Sequence, residues 1–199
     1  MIRMGPLVVV AESGIDGLGV FTTVGFAPGG VVLTIDDSRV VDAAHPVLPE
    51  ERRHCDYLEG GKTVLMQIPE RYINHSCRPN VFVRTVHGLN CALALRQIRA
   101  GEEITYDYCV NGYGNVVWHC NCGAEGCRRT IYSDFFHLPL EVQKEYLPLL
   151  NDWFRKERAR YCSNRKSTIG GLLGSGREAS TPARSRSTFT ASRTRRTRL

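Results

Sequence analysis

At 199 residues the chain has length for one domain with extensions and a sizeable core, and its 42% hydrophobic content is that of an ordinary globular protein. No apolar run approaches the roughly 20 residues of a membrane helix, and Leu7–Ala11 is too short for a secretory signal core, so a soluble intracellular protein is expected. The net charge of +6 sits at one end: from Asn164 onward nine Lys or Arg face one acid, Glu178, while residues 1–163 hold seventeen bases and nineteen acids. Such a basic end either contacts nucleic acid or an acidic partner, or is simply solvated.

In chain order, Leu7–Val10 reads as a short β-branched strand. Gly14 to Gly19 forms a glycine-rich turn, in which Gly17-Leu18-Gly19 allows either a plain hairpin loop or close backbone approach to a ligand. A dinucleotide fingerprint is excluded, since no third glycine and no helical pattern follow. Pro28-Gly29-Gly30 is a turn, Val31–Ile35 a strand, and residues 36–53 a loop with a short helix near Pro49–Arg53. Val64–Pro69 then delivers the polar stretch Arg71 to Asn80. Asn74, His75 and Ser76 favour local side-chain bonds to backbone there, and Pro79 blocks a helix. Arg71, Asn74, His75 and Cys77 are thus expected in one rigid turn.

Val81–Val86 and Cys91–Leu95 read as paired strands around His87-Gly88. Glu102 and Glu103 read as a solvated turn, followed by a strand Ile104–Tyr108 whose alternation puts Tyr106 and Tyr108 on one face. Leu138–Arg160 has helical periodicity, with Pro139 at a first helical position and Pro148 splitting the stretch. Beyond Ser163 the composition predicts disorder.

Eight cysteines are many for an intracellular chain, where disulfides are rare. Cys120, Cys122 and Cys127 are clustered, and Cys-x-Cys-x4-Cys fits metal better than a redox pair. Structural zinc takes four tetrahedral ligands, so a fourth must come from elsewhere. Cys77 is the first candidate, with His119, Cys109 and His75 as alternatives. Trp118, just before the cluster, either faces a ligand or packs in a core.

Arg71-Tyr72-Ile73-Asn74-His75-Ser76-Cys77-Arg78-Pro79-Asn80 resembles the central motif of SET-domain protein-lysine methyltransferases. The Gly17-Leu18-Gly19 turn, the run Gly101 to Tyr108 and the three clustered cysteines resemble further segments of that family in the family's order, over roughly residues 8–131. The resemblance implies a mostly β SET fold of small sheets around a knot-like core, with a zinc-bound post-SET segment and C-terminal helices. It divides the chain into a SET domain (1–118), a post-SET zinc segment (119–131), a helical extension (132–162) and a disordered basic tail (163–199). With no cysteine-rich region upstream of the glycine turn, a compact stand-alone enzyme is expected.

The implied activity is transfer of methyl groups from S-adenosylmethionine to protein lysine, in a histone-like or other basic protein. By resemblance Tyr108 is the catalytic tyrosine, and Tyr106 stands where the family has Phe or Tyr; its hydroxyl implies mono- and dimethylation. Gly17, Leu18, Gly19, Asn74, His75 and Tyr108 would bind cofactor, Arg71 would brace the turn, and Trp118 would stack on the adenine or pack in the core. Cys77 would complete a Zn2+ site with Cys120, Cys122 and Cys127. The competing reading is a catalytically silent SET module that binds peptide or chromatin. Loss of Asn74, His75 or Tyr108 would favour it, and all three are present.

Overall fold

β-branched runs broken by glycine turns give this chain many short strands and little helix. The computed structural model describes residues 6–58, 62–110 and 112–161, and the expected disordered tail and the Gly60-Gly61 turn lie outside the described residues. Contacts divide the chain at residue 158, and of the second unit only 159–161, helical, are described. Among the described residues no helix is long and apolar enough to cross a membrane.

The first sheet has four strands, in the order β1 (Val8–Glu12), β2 (Leu18–Thr22), β10 (Glu103–Tyr106) and β7 (Asn74–His75). β7 runs parallel to β10, pairing Asn74 with Thr105 and His75 with Tyr106, so the central motif is laid directly beside the later tyrosine segment. A second sheet orders β3 (Val31–Thr34), β9 (Leu89–Ala94) and β8 (Val81–Val86). The β8–β9 hairpin turns on His87 and Gly88, whose φ values of 49° and 82° match the twist of the flanking strands. The third sheet, β4 (Val40–Val41), β6 (Thr63–Leu65) and β5 (Cys55–Tyr57), carries the lead-in to the central motif.

β11 (Tyr113–His119) and β12 (Thr130–Asp134) form a separate antiparallel pair. The three clustered cysteines lie in the loop between them. Next comes α1 (Leu140–Tyr146), then a 3-10 turn at Leu147–Leu149 and a helical run from 152. Pro148 does split the helical stretch. Pro139, expected inside the first turn, instead precedes it: its carbonyl accepts the Gln143 N–H, as an N-cap residue does.

Two apolar cores result. One gathers Val20, Val32, Ile73, Val81, Ile98 and Ile104 between the first two sheets. The other gathers Ile131, Phe135, Leu150 and Phe154 with the buried cysteines Cys109 and Cys120. Tyr106 packs against both.

Candidate functional site

Of the three residues expected to bond local backbone, only Ser76 does so; Asn74 and His75 form the short strand β7, and their side chains reach distant partners. A 3-10 turn at Glu70–Tyr72 ends the lead-in, and Arg71 Nε donates to Met66 O at 2.9 Å, bracing that approach. Asn74 and His75 then pair with β10, and Ser76 N donates to Tyr106 O at 3.0 Å. Ser76 Oγ accepts the Arg78 N–H at 3.1 Å, a local bond of the kind expected of a serine before a proline turn. Asn80 closes the turn from inside. Its amide donates to Glu102 Oε1 and Glu103 O, and its Oδ1 accepts the Thr105 N–H at 2.8 Å.

Tyr106 and Tyr108 do not share a face of one strand, because β10 ends at Tyr106. Asp107 Oδ1 accepts the Cys109 N–H at 3.0 Å and Asp107 O accepts the Val110 N–H, so the chain turns there instead of continuing extended. Tyr106 donates its hydroxyl to Val110 O at 2.8 Å, and Tyr108 donates to Ile73 O at 2.6 Å. Both phenols are still fixed next to the central turn.

Around Tyr108 the rings converge. His75 lies 5.3 Å from Tyr108 and 5.3 Å from Trp118 by ring centroids, both edge-on, and Tyr108 and Trp118 are 5.9 Å apart. Trp118 therefore belongs to the site as well as to the edge of the second core. The Tyr108 ring remains 43% exposed while its hydroxyl is tied inward. Desolvation, with Asp56, Asp16 and Glu103 adding repulsion, pushes that phenol above its ordinary pKa, so it stays protonated. Burial holds His75 down to about 4 against the opposing pull of Asp107, with Arg128 lowering it further. The neutral ring accepts the Tyr108 N–H on Nδ1 at 3.2 Å, which leaves the proton on Nε2. The 3.7 Å approach of Asp107 to Nδ1 is accordingly no ion pair.

The glycine turn docks on the same face. Asn74 Nδ2 lies within hydrogen-bond distance of Ser13 Oγ (3.0 Å), Asp16 O (3.2 Å), Leu18 O (3.0 Å) and Glu103 Oε1 (2.9 Å). Gly17 has φ +48°, and a Cβ on Gly19 would collide with the Glu103 carboxylate. Asn74 thus stitches the backbone of Asp16 and Leu18 to β7, one residue before the His75 of the ring cluster. Glu102 and Glu103, expected in solvent, are both engaged. Glu102 pairs with Arg96 at 2.6 Å, and Glu103 accepts the Ser13 hydroxyl at 2.8 Å. Arg96 is six residues from Glu102, but Ser13 is ninety residues from Glu103, which therefore gave no local sign of its partner.

The sulfurs of Cys77, Cys120, Cys122 and Cys127 all lie within 4.8 Å of one another. Cys77 Sγ is 3.9 Å from Cys120 Sγ and 4.0 Å from Cys127 Sγ. Tetrahedral thiolate ligation at about 2.3 Å sets sulfurs roughly 3.8 Å apart, so the donor set fits such an ion. Burial opposes ionisation of Cys122, but N–H groups of Cys77 and Ala124 outweigh it and bring the thiol to about 6, towards the thiolate a metal takes. Gly123 and Gly126, at φ +67° and +74°, supply the left-handed turns of the wrap. The alternative fourth ligands are not in the group of four: Cys109 Sγ is spent on Tyr132 O at 3.1 Å, His119 is exposed on β11, and His75, with Nδ1 on the Tyr108 N–H, sets Nε2 beside Cys77 Sγ at 3.6 Å.

Residues 17–109 match the SET domain family. They form a SET domain. Over 65 residues, 30% of its length, this chain is 48% identical to histone-lysine N-methyltransferase 2B of Homo sapiens, of which it covers 2%. Over 68 residues it is 43% identical to histone-lysine N-methyltransferase ASHH3 of Arabidopsis thaliana, covering 31% of this chain and 18% of that protein. The chain thus spans only 2% and 18% of the length of these two relatives. Among solved structures, KRYPTONITE in complex with mCHH DNA, H3(1-15) peptide and SAH aligns over 65% of this chain and 30% of its own, at TM-score 0.51 and 24% identity. That likeness shows the fold.

One part of the SET domain had not stood out in the sequence. Asp107 is fully buried, and its carboxylate accepts from Arg128 Nη2 at 2.6 Å and from the Tyr146 hydroxyl at 2.9 Å, besides the Cys109 N–H. The Arg128 and Tyr146 donors come from residues beyond the matched 17–109. An acid between two tyrosines was the available signal, since an unpaired carboxylate is not kept inside a protein.

Proposed function

We propose that the chain is an S-adenosylmethionine-dependent protein-lysine N-methyltransferase. The observation that carries this reading is the convergence of Tyr108, His75, Trp118, Asn74 and the Gly17-Leu18-Gly19 turn on one face, on a SET domain. The relatives named above are histone-lysine N-methyltransferases, and the KRYPTONITE structure holds SAH and an H3 peptide. A histone-like protein is accordingly the proposed substrate.

When bound, S-adenosylmethionine supplies the electrophilic methyl group. Methyl transfer to an amine needs a neutral lysine and a straight line of approach, so positioning and desolvation are the protein's tasks. Tyr108 stays protonated and donates to Ile73 O, which leaves its oxygen lone pairs to accept weak C–H contacts from a methyl group. The aromatic faces favour a cationic sulfonium or ammonium beside them. The backbone of Gly17, Leu18 and Gly19, held by the Asn74 amide at Leu18 O, would contact the cofactor. Arg71 braces the lead-in, and Cys77, Cys120, Cys122 and Cys127 would hold a structural Zn2+, linking the β11–β12 loop to the central turn.

Tyr106 keeps its hydroxyl fixed on Val110 O, which limits room for a methylated amine, so mono- and dimethyl-lysine are the proposed products. The proposed division is SET domain 1–118, zinc segment 119–131 and helical extension 132–162; the basic residues beyond offer non-specific nucleic-acid contact.

The test is intact-mass methylation of core histones and of a total protein extract with labelled S-adenosylmethionine, wild type beside Tyr108→Phe. Lysine-borne label that falls at least tenfold in the variant is expected. Cofactor binding without transfer to either substrate set would replace the enzyme with the silent binding module. A product led by trimethyl-lysine would overturn the assignment to Tyr106.

A further inference from the structure

Arg128 directly follows the last clustered cysteine, and it is where the cysteine site and the tyrosine segment meet. Its backbone N–H and its Nε both point at Cys77 Sγ, at 3.4 and 3.5 Å. Its Nη2 meets Asp107 Oδ2 at 2.6 Å. Asp107 directly follows β10, and the next residue is Tyr108. One planar guanidinium therefore spans a sulfur of the cluster and the carboxylate that sets the course of the chain into Tyr108. The fork is rigid, so turning it to suit one partner degrades its contact with the other. The Arg128 side chain is 16% exposed and Asp107 is fully closed off, so solvent offers little compensation for either contact.

We propose that Arg128 is a positioning residue that makes metal binding at the four cysteines and cofactor binding at the tyrosine face cooperative. The inference rests on the two sites as read above. A metal-bound sulfur carries negative charge and takes charge-assisted bonds from Arg128. Those bonds fix the guanidinium, the guanidinium fixes Asp107, and Asp107 fixes the turn from which the Tyr108 N–H reaches His75. Without metal the guanidinium loses one of its two anchors, and the cofactor face is less well formed. By linkage, cofactor must then tighten metal by the same factor.

The experiment uses the full chain, Zn2+ and S-adenosylhomocysteine. Zinc affinity is measured by competition against a chelator, with and without saturating S-adenosylhomocysteine. S-Adenosylhomocysteine affinity is measured by calorimetry before and after zinc removal. In wild type each ligand is expected to raise the other's affinity by about fivefold or more. In Arg128→Gln the ratio is expected to fall below about twofold, while zinc alone binds about 10–100-fold more weakly. Arg128→Lys, which keeps the charge but not the fork, is expected to lose most of the ratio and decides the matter if the Gln variant does not fold. Tyr146→Phe touches Asp107 without touching sulfur and is expected to leave zinc affinity alone unchanged. A variant of Arg128 that weakens both ligands but keeps the wild-type ratio would show a merely structural residue and overturn the inference. Wild type that binds both ligands without linkage would overturn it and leave the proposed function standing. Wild type that binds neither would bring down the proposed function and the inference together.

Discussion

Asn80 shows how much of this site one buried amide holds. It is 2% exposed, donates twice, accepts the Thr105 N–H, and has its own backbone tied to Leu95 and Thr105. Asn80→Ala strands the buried Thr105 N–H and takes a donor from the Glu103 carbonyl, at about 1–3 kcal/mol each before relaxation, while Glu102 Oε1 keeps its pairing with Arg96. A net loss of about 2–4 kcal/mol is expected, read as a lowered urea midpoint with an unchanged slope. A loss under about 1 kcal/mol would mean that water replaces the amide. Glu102, one of the acceptors, gives the acid limb of the stability profile. Burial works against its charge, but Arg96, the Arg99 N–H and the Asn80 amide outweigh that and lower its pKa. With a folded value below the unfolded one of about 4.3, its contribution is present above that pH and lost as pH falls through the folded value. Glu102→Gln is therefore expected to lower the melting temperature at pH 7 and to flatten its decline below about pH 4. Parallel acid limbs in thermal scans from neutral to acid pH would exclude this role.

At the scale of elements, the legible part of the sequence was whatever depends on near neighbours. The β8–β9 hairpin, the glycine turn, the break at Pro148 and the Cys-x-Cys-x4-Cys wrap follow from local residue types, and each stands in the fold. The end of β10 was misread because Tyr-Asp-Tyr alternates like a strand. The competing signal, an aspartate that takes the N–H two residues on, was present but outweighed by periodicity. The engagement of Glu103 could not be read, since Ser13 is ninety residues away and Gly19 makes room only once β2 lies beside β10. The helical periodicity after Leu138 gave helices but not their purpose, which is to complete the second core. Phe154 is fully buried there, edge-on to Phe135 at 5.6 Å and to Trp153 at 5.4 Å. Phe154→Ala is expected to destabilise by about 3–5 kcal/mol in urea unfolding. Its ring contacts among the described residues include Phe135, Phe136 and Trp153, away from the rings around Tyr108, so a folded variant should bind S-adenosylhomocysteine with wild-type affinity. A large loss of that affinity in folded protein would tie the helical run to the site directly.

On the scale of the whole molecule, the devices that join the two apolar cores include Tyr106, which packs on both, the Asp107 carboxylate, the four cysteines, and a hydrogen bond from Arg84 of β8 to Pro148 O. Cys77 comes from the turn beside the first core, while Cys120, Cys122 and Cys127 come from the loop of β11–β12 in the second. A metal there is a cross-link between cores as well as a ligand. An ion held at a thousand times its dissociation constant stabilises the folded state by about 4 kcal/mol. For a chain of this size, removing it should lower the melting temperature by roughly 8–16 °C. The loss should begin in the second core, because the loop that carries three of the sulfurs sits on that side. Trp118 lies at the junction, against His75 and Tyr108 on one side and the second core on the other, so its fluorescence should change before the first core melts. Adding a chelator during a thermal ramp, with fluorescence and far-UV dichroism followed together, separates the possibilities. Fluorescence that leads dichroism, and that zinc restores, is the expected result. One coincident transition at an unshifted temperature would mean that four converged thiols hold the cores together without an ion.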